Sequence, residues 1–252
     1  MTDQDIKGDN MKRVKLIRAI IIFILISAFV VLKLFTTVLG KTVFIYIDAL
    51  DPERDYLSFG YSFHKVDDVE GIHAYKQDLD KIKYCKNLKV FRYSHELEDL
   101  DFFDNPDLEE LYIKGCSDIS GLEKLSELKV FSFWNADVSD LSYISSLRAL
   151  NELELRTSND LDCENIDQLC ELERLEIFGA SLSEYQLIAD LPKLSYLSIR
   201  VDNYENFDLS FIKQSDSIKK VTLWEVPADK QRSMKEEFEN SGIEIKFEEE
   251  TT

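Results

Sequence analysis

The sequence is poor in the residues that punctuate, staple or positively charge a chain. Its 252 residues include only 8 Gly and 4 Pro, which excludes collagen-like and Pro-rich linker architectures. Four Cys are too few for a disulfide scaffold. The three His, His64, His73 and His95, are scattered, and no Cys or His pair stands at zinc-ligand spacing. Lys and Arg number 30 against 49 Asp and Glu, a net charge of −19. A chain so short of cations cannot displace counterions from phosphates, so nucleic acid is not an expected partner. What is plentiful is core material: 44% of residues are hydrophobic and 12% aromatic, which excludes disorder throughout.

Long apolar runs are absent but for one. Residues 19–39 are apolar except for Lys33 and small or hydroxyl positions, and 21 residues at about 1.5 Å each just span a hydrocarbon core of roughly 30 Å. Lys33 lies near the far end, where its ammonium can snorkel to the headgroups. No small-x-small site follows the run, so an uncleaved transmembrane anchor is expected. A cleaved signal peptide and a buried core helix are the alternatives. Five basic residues (Lys7, Lys12, Arg13, Lys15, Arg18) precede the span, and Lys41 alone closely follows it. The positive-inside rule then makes 1–18 a cytoplasmic tail and places 42–252 outside the cell membrane. That outer portion carries 23 basic and 46 acidic residues.

The outer portion is a repeat. The pattern apolar-x-x-apolar-x-apolar starts at Leu88, Leu108, Leu128, Leu150, Leu172, Leu194 and Ile218, at intervals of 20, 20, 22, 22, 22 and 24 residues. Ahead of most of these strands an apolar residue returns every third position, as in Ile119, Leu122, Leu125, Leu128. A period of three keeps one side of a 3₁₀ or extended turn pointing inward. One strand and one tight return cannot bury their apolar side alone, whereas stacked units share a core.

These residues, and runs such as LRALNELELRTSNDLDCENIDQLCELERLEI, resemble the leucine-rich repeats, most closely the short-repeat type of bacterial internalins. The resemblance covers 79–226 and implies an α/β solenoid of parallel strands with short 3₁₀ or loop returns, read here as seven repeats. It departs from the family at the usual Asn after each strand, which is Glu96, Cys116, Ala136, Ser158, Ala180, Asp202 and Val226. Backbone or water must satisfy those turns instead. Strand-like segments in 42–78 read as an N-terminal cap. Residues 227–252 read as a β-α-β-like C-terminal cap, with the strand VTLWEV before it, and an acidic tail.

Chemistry-bearing motifs fail on spacing. Asp51, Glu53 and Asp55 begin like a calcium loop, but Tyr56 and Ser62 stand where the loop needs Gly and Glu. The histidines read as polar surface or cap residues, and the four Cys as buried thiols, with a Cys163–Cys170 disulfide left open. No phosphate-cradling loop, nucleophile elbow or metalloprotease motif occurs. No enzyme and no cofactor or metal is expected.

The informative residues face outward from the sheet. In L-x-x-L-x-L-x the third, fifth and seventh positions alternate away from the core. The seventh-position row reads Ser94, Lys114, Trp134, Arg156, Phe178, Arg200, Trp224, with basic and aromatic residues alternating from Lys114 onward. Arg92, Tyr112, Arg174 and Tyr196 add to it from the other two rows. Trp, Tyr and Arg dominate binding hot spots, so these ten residues are the expected ligand-binding set, aimed at a protein or peptide. Three readings compete with that one. The row could stabilise itself by cation–π contact across strands about 4.7–4.9 Å apart. The aromatics Trp134, Phe178 and Trp224 could stack a glycan. The domain could also pack laterally as a structural component of the envelope.

Overall fold

The computed structural model describes residues 44–51, 56–57, 62–65, 69–74, 79–82, 85–100, 105–205 and 207–249. The tail 1–18, the apolar run 19–39 and the calcium-loop positions Glu53 and Asp55 lie outside them. Among the described residues no helix is long and apolar enough to cross a membrane. The chain divides into two units, Met1–Phe44 and Ile45–Thr252; apart from Phe44, every described strand and turn belongs to the second.

The first strands are β1 (Phe44–Asp51), β2 (Tyr56–Leu57) and β3 (Ser62–Lys65). Next come β4 (Gly71–Ala74), β5 (Val90–Tyr93), β6 (Glu110–Lys114), β7 (Val130–Ala136) and β8 (Glu152–Thr157). Then follow β9 (Leu161–Asp162), β10 (Arg174–Gly179), β11 (Leu182–Ser183), β12 (Tyr196–Val201), β13 (Lys220–Trp224) and β14 (Glu244–Glu248). Twelve of them form one sheet. Within it β4, β5, β6, β7, β8, β10, β12, β13 and β14 run parallel in that order. At one end β1 closes the ladder by pairing antiparallel with β4 and β2. All seven repeat strands lie where the leucine spacing puts them, in a solenoid, and the ladder takes in β4 before them and β14 after them.

The period of three is visible as hydrogen bonds. Leu122 N–H donates to Ile119 O, Leu125 to Leu122 and Leu128 to Leu125, at 2.9–3.1 Å. The same residues that bury their side chains therefore also close the 3₁₀ turns, which span Ser120–Lys124, Ile144–Ser146, Ile166–Gln168, Tyr185–Asp190 and Leu209–Gln214. Strand residues Leu153, Leu155, Leu175 and Ile177 meet these returns in one continuous core and are 0–1% exposed. Burial of each such side chain contributes roughly 1.5–3 kcal/mol.

Neighbouring repeats are joined before each strand by a shared carbonyl. Lys89 O accepts from Glu109 N–H and Glu110 N–H at 2.8 and 2.9 Å, and Lys129 O from Asn151 and Glu152 at 2.7 and 2.9 Å. Where the family Asn is missing, backbone does its work: Leu97 N–H reaches Gly115 O, Ser117 N–H reaches Leu97 O, and Asp202 N–H reaches Ala180 O. The short parallel pair β9–β11 extends this second ladder. Gly115 makes the turn after β6 with φ +80°, a left-handed conformation that costs other residues strain.

At the C-terminal end the helix Ala228–Phe238 lays Met234 and Phe238 over the core. Strand β14 follows as the sheet edge, with Glu244, Lys246 and Glu248 outward, charges that blunt edge-to-edge pairing. All four cysteines are free thiols, so Cys163 and Cys170 form no disulfide. Cys163 is fully buried, which pushes its thiol up to about 12. Cys170 corrects the sequence reading, being exposed at the end of its return.

Candidate functional site

The outward rows stand in register across the sheet: Glu110, Val130, Glu152, Arg174, Tyr196 and Lys220 face one another rung by rung, as do Tyr112, Ser132, Glu154, Glu176, Ser198 and Thr222. The ten expected binding residues do not share one environment. They divide into two groups with different environments.

The group on β8 to β13 is engaged with itself. The Arg156 guanidinium lies between Trp134 and Phe178, 4.6 and 4.2 Å from their ring centres, and its Nε donates to Glu154 at 2.8 Å. Burial pushes the Glu154 carboxyl up, but hydrogen bonds from Ser132, Trp134 and Arg156, with Arg156's charge, outweigh it and hold the group low. Trp224 leans back so that Nε1 donates to Ser198 Oγ at 2.9 Å, with its ring 5.8 Å from Phe178. Arg174 covers the Tyr196 ring at 4.0 Å and pairs with Glu176. Arg200 holds Glu225 at 2.8 Å. Phe178 corrects the sequence expectation most directly: sandwiched by Arg156 and Trp224, it is 5% exposed and offers a ligand almost no surface. The glycan reading loses one of its three platforms with it.

The group on β5 to β7 is arranged differently. Arg92, Tyr112, Lys114 and Trp134 line an open cavity of about 350 Å³, together with His73, Tyr93, Ser94, Ile113 and Ser132. The Arg92 guanidinium lies 4.3 Å above the Tyr112 ring. Tyr112 Oη donates to Glu110 Oε2 at 2.9 Å, and burial with the Glu110 charge pushes the phenol up to about 12, so it stays protonated. His73 Nε2 and Ser94 Oγ are 3.0 Å apart. Lys114 is exposed and makes no ion pair with any described residue. An adjoining hollow of about 450 Å³ shares Ser94 and Lys114 and adds His95, Glu96 and Asn135.

Trp134 owes its exposure, 44%, to an irregularity in the ladder. Between Phe133 and Ala136 strand β7 carries an extra residue relative to β8, and Asn135 takes φ +50°. A bulge of this kind re-aims the neighbouring side chain. His73, Tyr93 and Ser132 were not in the expected set. A signal for His73 existed: Val69, Ile72 and Ala74 repeat the apolar-x-x-apolar-x-apolar pattern one unit before Leu88, which makes His73 a fifth-position residue paired with Arg92. Small Ala74 in place of leucine hides it. Among the described residues no group of His, Cys, Asp and Glu is placed to hold a metal ion.

A stack of parallel strands with 3₁₀ returns and a core of every-third-residue leucines defines the fold as a leucine-rich-repeat solenoid. No family model and no curated protein matches the chain. Among solved structures it is similar to the internalin InlF of Listeria monocytogenes, with a TM-score of 0.54 and 16% identity over 74% of this chain. It spans 57% of that protein's structure, a little over half. It is also similar to internalin C2 of the same organism, with a TM-score of 0.57 and 16% identity, covering 75% of this chain and 86% of the other. These likenesses show the fold, a solenoid of internalin type.

Proposed function

We propose that the protein is a non-enzymatic recognition module, anchored in the cell membrane through residues 19–39, that binds a protein or peptide through the open face of its sheet. One observation carries the reading: in a chain of net charge −19 the cavity between β4 and β7 is lined by cationic and aromatic side chains, one of them an exposed Trp, with no Asp or Glu among the described lining residues. Exposed aromatics beside basic donors are the residues that supply most binding energy at interfaces. The internalin-type fold supports the reading as a scaffold that displays such a face.

Crosslinking capture with the full chain and with its Lys114→Ala/Trp134→Ala variant tests this. The partner taken by the wild type should be weakened by roughly 2 kcal/mol in the variant, as for hot-spot truncation. The melting temperature should fall only modestly, by what Trp134 contributes through its contacts with Arg156 and Glu154, because neither side chain belongs to the core. Undiminished capture by a folded variant overturns the assignment of this face.

A further inference from the structure

Resting on that reading, we propose that the cavity between β4 and β7 receives a carboxylate side chain of an acidic partner peptide, held by Lys114 and Arg92 and flanked by Tyr112 and Trp134. The argument is one of contrast along a single sheet. From β8 onward the Arg residues of the face have their own carboxylates, Arg156 with Glu154 and Arg200 with Glu225, both at 2.8 Å, and Arg174 with Glu176; Lys246 pairs with Glu244 at 3.3 Å, and Lys220 lies over the Tyr196 ring at 5.5 Å. Lys114 has no such partner, and none of the described residues that line its cavity is Asp or Glu. The one carboxylate on the same strand, Glu110, accepts from Tyr112 Oη and stands outside the lining.

The cavity is also prepared for its guest. Stacking over Tyr112 fixes the Arg92 guanidinium, so less side-chain freedom is lost when a ligand arrives. The two adjoining hollows share Ser94 and Lys114 and together make an open trough, with Glu96 on the far side of Lys114 and the cationic and aromatic lining on the near side. A trough suits an extended chain passing across the rungs with one acidic side chain directed down, and Trp134 and Tyr112 supply flat surface for the neighbouring residues. The surrounding negative charge sharpens the test, because the molecule as a whole repels an acidic peptide and only a local site can retain one.

The probe is fluorescently labelled hexaglutamate, with hexaglutamine as neutral control, titrated by anisotropy against the full-length chain at low ionic strength. Hexaglutamate should bind at least about tenfold tighter than hexaglutamine. Lys114→Glu should weaken it by at least about tenfold and Lys114→Gln by less, while Lys193→Glu, which makes the same charge change at a residue paired with Glu171, should leave binding within about twofold. Equal binding of the two peptides, or a Lys114→Glu protein that binds as the wild type does, overturns the proposal. So does displacement of hexaglutamate by an equimolar amount of inorganic phosphate, which would make this a small-anion site. If hexaglutamate fails while the Lys114→Ala/Trp134→Ala variant still loses its partner, the ligand chemistry is wrong and the recognition face stands. If partner capture is also unaffected, both fall.

Discussion

Leu153 and Glu154 are adjacent on β8 and face opposite sides of the sheet, yet neither is a bystander. Leu153 sits 1% exposed in the middle of the stack, and Leu153→Ala should cost about 2–5 kcal/mol in urea unfolding, as buried leucine truncations do. Glu154 looks like a solvent position in the sequence, and a loss of about 0.5 kcal/mol or less would follow from that alone. In the structure it joins Ser132 Oγ at 2.7 Å and Arg156 Nε at 2.8 Å, and Ser132 is buried. Removing the shared acceptor leaves the buried Ser132 hydroxyl without its carboxylate and takes a hydrogen bond from Trp134 and Arg156, so Glu154→Ala should cost about 1–3 kcal/mol. A loss below 0.5 kcal/mol would show that the network is incidental. The alternation of inward and outward positions was legible because leucine marks it. The burial of Phe178 and Ser132 on the outward side was not, because it depends on which long side chain folds over which neighbour.

Single turns show a device that the leucine spacing conceals. Asp118, Asp140 and Asp208 each stand at the entrance of a 3₁₀ return and accept from the N–H of the serine two residues on, Ser120, Ser142 and Ser210, at 2.8–2.9 Å. These bonds and those from the serine hydroxyls hold all three carboxyls below the ordinary aspartate value. A carboxyl lowered on folding contributes stability that is complete above its unfolded pKa and is lost as pH falls towards the folded one. Urea midpoints of the wild type should therefore drop steeply with acidification through the carboxylate range. The triple variant Asp118→Asn/Asp140→Asn/Asp208→Asn keeps an acceptor oxygen without the charge and should show a shallower drop. Parallel pH profiles for the two proteins would refute the role. The Asp-x-Ser triplets are plain in the sequence, but an exposed Asp before a turn looks like any solvated acid until its hydrogen bond is seen.

For the molecule as a whole, the solenoid was legible from its 20- to 24-residue intervals, whereas its full extent was not. Strand β4 lacks leucine at all three marker positions, and β14 has Gly242 where the first apolar residue belongs. Orientation in the membrane is the prediction that belongs to this scale. Five basic residues ahead of the apolar run argue for a cytoplasmic N-terminus. Protease added to intact cells, with any outer layer permeabilised, should digest 42–252 and spare an epitope placed on 1–18. Protection of the repeats would invert the topology. The shared carbonyls that join the repeats have a further consequence. Lys129 O accepts from Asn151 and Glu152, and Asn151 O accepts from Glu173 and Arg174. Excising 151–172 would splice Leu150 to Glu173 and offer Lys129 O the same two donors one rung on. The apolar pattern would continue unbroken, and the sheet would shorten by one strand spacing of about 4.8 Å. The reach of such a face is thus a count of interchangeable parts, which duplication or loss of a gene segment can lengthen or trim without redesigning any joint.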